Sequence, residues 1–357
     1  MTAYTPEEIG QKRLVRGSLP GEPVPYYVAS GDGMAFETAG QLWTVIARAV
    51  DTGDDFDAAY ITGRRGAESP LHAIPSAHRT FVVLDGRVQI WLGAAAGEDA
   101  AIESRILSRG DSVVVPEGVL FGYRMRAEAS RLFLFSAPGG TLDDLLASGR
   151  GTSSHIYSPQ AGSDSLILPA NATRLALPDT DPRDAADDRL PEGCEPYVLR
   201  SLEGEHRAWP DALNSYVSRA RNTDGRYFSV DTLAAPQPYI IRHFHRQHTE
   251  NFLCLSGRVW LWVNGEEVLL TEGDFLHAPA GTIHSFAIAG HNTRMLGFLT
   301  TGIFEPFFDV TSQHTDDKVY TEGLVNPSVI FEGIKGNPDL DLEVVGPPPE
   351  RVFAPGL

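Results

Sequence analysis

The sequence predicts an all-β protein made of two antiparallel barrels or jelly rolls in tandem. Three observations carry this expectation: the chain repeats itself, each repeat is a run of short apolar strands broken by turn residues, and helical periodicity is scarce.

The repeat comes first because it organises everything else. Pro25-Tyr26 recurs as Pro196-Tyr197, Asp51-Thr52 as Asn222-Thr223, Gly86 as Gly257 and Trp91 as Trp262, all at one offset. After an insertion around Ala94 to Ala101 a shorter offset takes over, and Gly110-Asp111 matches Gly273-Asp274, Pro116 matches Pro279, Gly118 matches Gly281, and Arg131 matches Arg294. Chance rarely holds so many Gly, Pro and Trp positions in register.

The strands come next. Val82 to Leu84 and Val88 to Leu92 flank Asp85-Gly86, and Val259 to Val263 and Val268 to Leu270 flank Asn264-Gly265. Such dipeptides favour tight hairpins whose central residues need φ > 0. Helical pattern is confined to Pro6 to Arg13, to Thr141 to Ala147, where Thr141 and Asp144 resemble a capping box, and to a short piece near Phe304 to Asp309. The expected division is a first barrel over 1–148, a Ser-, Pro- and Asp-rich connection over 149–195, a second barrel over 196–310, and a tail over 311–357 that packs across the barrels.

Composition bounds the function. A chain of 357 residues exceeds the ~250 to 300 at which single cores stop growing. A hydrophobic content of 42% with 21% charged residues is that of an ordinary globular protein. The formal charge of −18, without any Lys or Arg run, argues against nucleic acid and anionic membranes as partners. Cys194 and Cys254 show no zinc-site or disulfide spacing, no apolar stretch is long enough to span a bilayer, and Met1 to Leu14 lacks an apolar core, so a cytoplasmic setting is expected. A homodimer is compatible with all of this.

The chemistry concentrates in the second repeat. His243 and His245 are one residue apart, so on a strand both imidazoles point to one face, here the barrel interior. Glu250 follows near the start of the next strand, and His284 follows the turns made by Gly273, Pro279 and Gly281. A His-x-His pair alone is more often structural. With a carboxylate and a third imidazole in a Gly/Pro frame it reads as a site for one divalent first-row metal (Fe, Mn, Ni, Co or Cu), with positions left open for substrate or oxygen. His248 and His277 are close but off the pattern, and surface or supporting hydrogen-bond roles are expected for them.

These residues resemble the cupin superfamily, whose fold is the double-stranded β-helix. Its first motif is met by His243, His245, Glu250 and Gly257, without the leading Gly, and its second by Gly273, Pro279, Gly281 and His284. The segments His248 to Gly257, Gly273 to Pro279 and Gly302 to Phe308, on a two-repeat layout, are similar to bicupin quercetin 2,3-dioxygenases, and the resemblance runs from about Pro25 to Phe308. It implies a metal-dependent dioxygenase that opens a flavonol ring with O₂ and releases carbon monoxide.

The offset also locates what the first repeat has lost. His243 maps to His72, His245 to Ile74, Glu250 to Arg79 and His284 to Phe121, so one ligand in four survives. Arg79 places a permanent cation where a metal would sit, and a guanidinium in an apolar barrel needs its own partner. Bicupins of this type often keep both sites, so this chain departs from them, although His78 lies close by in sequence.

The expected reaction has a small aromatic substrate ionised at the metal, with Glu250 as proton acceptor and O₂ as co-substrate. Tyr227, Phe228, Phe252, Phe286 and Phe307 are the candidate walls of the substrate pocket. Two rival classes share the ligands: a non-oxidative isomerase or decarboxylase using the metal as a Lewis acid, and a non-catalytic binding or regulatory protein. An anionic sugar or dicarboxylate would call for an inward cation, whereas Arg242 and Arg246 have outward parity.

Overall fold

In the computed structural model the described residues are 4–95, 102–158, 165–323 and 333–350. Among them the strands form four sheets of nine, eight, five and five strands, a large and a small sheet facing each other in each barrel. No helix among the described residues is long and apolar enough to cross a membrane.

Strand register confirms the repeat. His72 pairs with Phe121 in the first barrel as His243 pairs with His284 in the second. Arg79 lies opposite Val115 and Ser136, as Glu250 lies opposite Ala278 and Leu299, which are the positions the two offsets require.

The barrels exchange strands. Tyr26–Val28 pairs with Phe275–Ala278 of the second barrel, and Tyr197–Leu199 pairs with Ser112–Val115 of the first. The same reciprocity governs side chains: Asp274 accepts the backbone N–H of Ser30 (2.7 Å), and Asp111 accepts that of Ser201 (2.9 Å). The sequence division places each of these strands in its own half, because an offset shows which residues correspond and not which barrel they join. Between the large sheets lies a common core, in which Phe133 and Phe135 of the first repeat pack on Phe298 of the second at ring distances of 5.5 and 4.4 Å.

Two turn expectations part company. Asn264-Gly265 is a two-residue hairpin joining Val259–Val263 to Glu266–Leu270, with φ of 47° and 94° as a type I′ turn demands. Asp85-Gly86 is not a hairpin. His78–Asp85 belongs to the large sheet and Arg87–Ala95 to the small one, and only Gly86 has positive φ, 77°. It is a corner where the chain changes sheet. Gly257 makes the matching corner, with φ of 80°. A Cβ at Gly86 would fall 2.9 Å from Ser130 Cα, and one at Gly257 2.8 Å from Thr293 Cα, so both corners need glycine for space as well as for φ.

Helices are short, as expected. Pro6–Ile9 has a full capping box between Thr5 and Glu8. The expected box at Thr141 does not form: the helix is Asp143–Ser148, and the Thr141 hydroxyl instead donates to the buried Asp57 carboxylate (3.0 Å). Burial raises that carboxyl to about 6, against the lowering effect of the Leu142 N–H (3.2 Å) and the Thr141 hydroxyl that it accepts. Glu305–Thr311 follows a 3₁₀ turn at Gly302–Phe304. The described part of the tail lies on the second barrel, where Glu343–Gly346 extends the small sheet beside Arg242–Phe244.

Gly86→Ala and Gly257→Ala are each expected to lower stability by about 1 to 3 kcal/mol in urea unfolding, from strained φ and backbone crowding. An alanine variant within about 0.5 kcal/mol of wild type would show that the corner tolerates a side chain.

Candidate metal centre

Three strands of the second barrel bring the donors together. His243 sits in Arg242–Phe244 and His245 just beyond it; Glu250 is in Thr249–Ser256; His284 begins His284–Ile288. One donor atom from each lies within 4.8 Å of the others, and the imidazoles are buried.

The ring orientations follow from backbone carbonyls. Nδ1 of His243 donates to Ile241 O (2.9 Å), Nδ1 of His284 to Thr282 O (2.9 Å), and Nδ1 of His245 to Asp341 O. A carbonyl only accepts, so each Nδ1 carries the proton and each Nε2 turns a lone pair inward. This is the arrangement in which imidazoles bind metals.

The interior then has acceptors without donors. His284 Nε2 stands 2.7 Å from Glu250 Oε2, a lone pair facing a carboxylate, and the buried His245 Nε2 has no hydrogen-bond partner. A positive charge must stand among them. Burial, and then the neighbouring imidazoles, drive His243 well below its ordinary value. Deprotonated donors of this composition fit a divalent first-row ion.

The tail supports the site, a role its own residue pattern hardly signals. Asp341 accepts the backbone N–H groups of Arg246 (2.8 Å), Gln247 (2.9 Å) and His248 (3.1 Å), and the Nδ1–H of His248 (2.8 Å). It thereby pins the turn between His245 and Glu250. His248 is not at the surface: it is buried and stacks on Phe304 at 4.4 Å. His277 faces the shared core, and its Nδ1–H donates to Asn251 Oδ1 (2.7 Å) beside Tyr26.

An apolar cavity of about 380 Å³ opens onto His243 and Glu250. Of the aromatic residues expected on its wall, Phe252, Phe286 and Phe307 are there; Phe304, Phe308 and Leu342 join them. Tyr227 and Phe228 are not. Tyr227 has the parity of Phe298 and points into the shared core, its hydroxyl bonded to Thr80 Oγ1 (2.7 Å), while Phe228 is covered by Phe308. Phe304 was legible as an aromatic but not as a wall, because the 3₁₀ turn sets its direction.

The first barrel keeps the frame without the donors. His72 Nδ1 meets Pro70 O at 2.9 Å, as His243 meets Ile241, but its Nε2 accepts from Arg79 (2.7 Å), while Phe121 packs at 6.4 Å. Nearby, donor atoms of His78, Cys194 and Asp224 also fall within 4.8 Å, a grouping built from both repeats and the connection that linear spacing does not reveal. Burial pushes the Cys194 thiol up to about 12, so it is neutral as it stands.

Comparison with known proteins agrees with this geometry. Residues 231–298 match the Cupin domain family. Quercetin 2,3-dioxygenase of Bacillus subtilis (strain 168) is 32% identical over 348 residues, spanning 94% of this chain and 100% of that protein. Quercetin 2,3-dioxygenase of Aspergillus japonicus is 27% identical over 146 residues, 39% of this chain and 42% of that one. The structure of oxalate decarboxylase from Bacillus subtilis at pH 4.6 superposes with a TM-score of 0.52 over 77% of this chain and 75% of that one, at 14% identity, a likeness of fold alone. With the repeat, the two barrels and a full-length relative in accord, the chain belongs to the bicupin quercetin 2,3-dioxygenase family.

Proposed function

We propose that this chain is a ring-cleaving dioxygenase acting on a flavonol or a similar enolisable aromatic ketone, with one divalent metal per chain held by His243, His245, Glu250 and His284. The observation that carries the reading is the joining of that donor set to an aromatic-walled cavity of about 380 Å³, a size suited to a planar ligand.

A divalent ion bound there would supply Lewis acidity and a centre for O₂ chemistry. The chain's own residues do the rest. Phe252, Phe286 and Phe307 hold and orient a planar ring, and their apolar faces keep bulk water from the reacting carbons. Glu250, a carboxylate on the cavity wall, accepts the proton of the substrate hydroxyl and leaves an electron-rich enolate. Both atoms of O₂ enter the organic product as one ring carbon departs as carbon monoxide, so no external reductant is required. No Lys or Arg lines this cavity among the described residues, which speaks against a dicarboxylate or anionic sugar.

Three outcomes test this reading. Protein purified without added metal should carry about one equivalent or less per chain, lost in His284→Ala; two equivalents would overturn the single-site reading, and a second one surviving in His284→Ala would point to His78, Cys194 and Asp224. Glu250→Gln, reloaded with metal, should still shift a flavonol's absorbance yet consume O₂ at least ~100-fold more slowly. Wild-type protein that neither shifts the spectrum nor consumes O₂ would remove the dioxygenase assignment, and full activity in the Gln variant would remove the role of Glu250. Asp341→Ala should weaken metal binding by about 10- to 100-fold in a competition assay, since it removes the carboxylate that holds the N–H groups of residues 246–248 and His248 Nδ1, and so loosens the turn between His245 and Glu250; unchanged affinity would make the tail a mere cover.

A further inference from the structure

The first barrel contains a cation that no carboxylate balances. Arg79, the counterpart of Glu250, is only 2% exposed. Its Nη1 donates to His72, but its Nε and Nη2 are buried with no hydrogen-bond partner, and no ion pair reaches it among the described residues. His72 is no counter-charge: burial, and then the guanidinium itself, push its pKa down to about 3, so it is a neutral acceptor. Phe81 and Phe121 flank the guanidinium at 6.0 and 5.8 Å, too far and too weak to replace an anion. Burial lowers Arg79 to about 9, which leaves it charged at neutral pH.

An unpaired buried ion costs several kcal/mol, and an unmet N–H adds to that. Next to Arg79 lies a space of about 30 Å³, walled by Ser69, Thr141, Trp43, Tyr123 and aliphatic side chains. That is room for one or two water-sized groups and no more. Water would satisfy the N–H groups but leave the charge. We propose that Arg79 and this space form a binding site for one small monovalent anion, of the size of chloride or formate, which accepts from Nε and Nη2. The site sits where the second barrel holds its metal donors, and it stands whatever substrate that barrel takes.

The test uses the intact protein at constant ionic strength, with gluconate, too large for the space, as the balancing anion. Added chloride or formate should raise the melting temperature saturably, by about 2 to 4 °C at concentrations well above the dissociation constant. Arg79→Met, similar in length and without charge, should melt at a temperature independent of either anion. A larger shift with formate than with chloride would identify a carboxylate ligand, and the reverse a halide. Equal responses of wild type and Arg79→Met would overturn the proposal. Should that variant fail to fold, wild-type crystals grown in bromide decide the matter: an anomalous peak in contact with Nε and Nη2 supports the site, and none there refutes it.

Discussion

Neither barrel closes by itself. The edge of each large sheet is completed by a strand from the other repeat, Tyr26–Val28 on one side and Tyr197–Leu199 on the other, and an open edge of this kind would otherwise expose a row of unpaired backbone groups. This exchange sets the distance and twist between the large sheets, and so the packing of Phe133 and Phe135 on Phe298. Phe298 alternates along its strand with Gly297 and Leu299, which line the metal-side cavity. The first barrel therefore shapes the site of the second through a wall of common side chains, without contributing a donor to it.

Within that frame, donor geometry is a matter of register and of carbonyls. One-to-one pairing of His243 with His284 fixes two imidazoles side by side, and the carbonyls of residues 241 and 282 turn each ring so that Nε2 points inward. His245 lies past the end of its strand, where no local carbonyl fulfils this duty. The tail supplies it through Asp341, 96 residues further on. The third ring is thus the one whose orientation depends on a distant segment.

The repeat, the donors and the two-barrel plan were legible because they rest on residues that cannot be exchanged: glycines at positive φ, prolines at turns, imidazoles at period two. What escaped was set by partners remote in sequence. Asp85-Gly86 carries the same dipeptide chemistry as a hairpin, yet only the sheet to which each flanking strand bonds tells a corner from a turn. Tyr227 and Phe228 are adjacent aromatics, and their burial in different places follows from which sheet face each one occupies. Asp341 lies in a stretch without strand alternation, and nothing nearby in sequence indicates that its carboxylate will gather three backbone N–H groups.

The deepest difference between the barrels is one of sign at a single register position. Glu250 and Arg79 occupy equivalent places, each within hydrogen-bond distance of an imidazole Nε2 from the neighbouring sheet. Around Glu250 three lone pairs and a carboxylate gather with no donor among them, an arrangement complete only with a cation. Around Arg79 the converse holds: His72 supplies one lone pair, Phe121 and Ile74 none, and two N–H groups are left over. Loss of the other donors without the change at this position would have buried a carboxylate beside an apolar wall, whereas gain of the guanidinium lets the remaining imidazole keep its tautomer and its carbonyl. The duplicated frame has thus been retained on both sides, while the charge at its centre has been reversed on one.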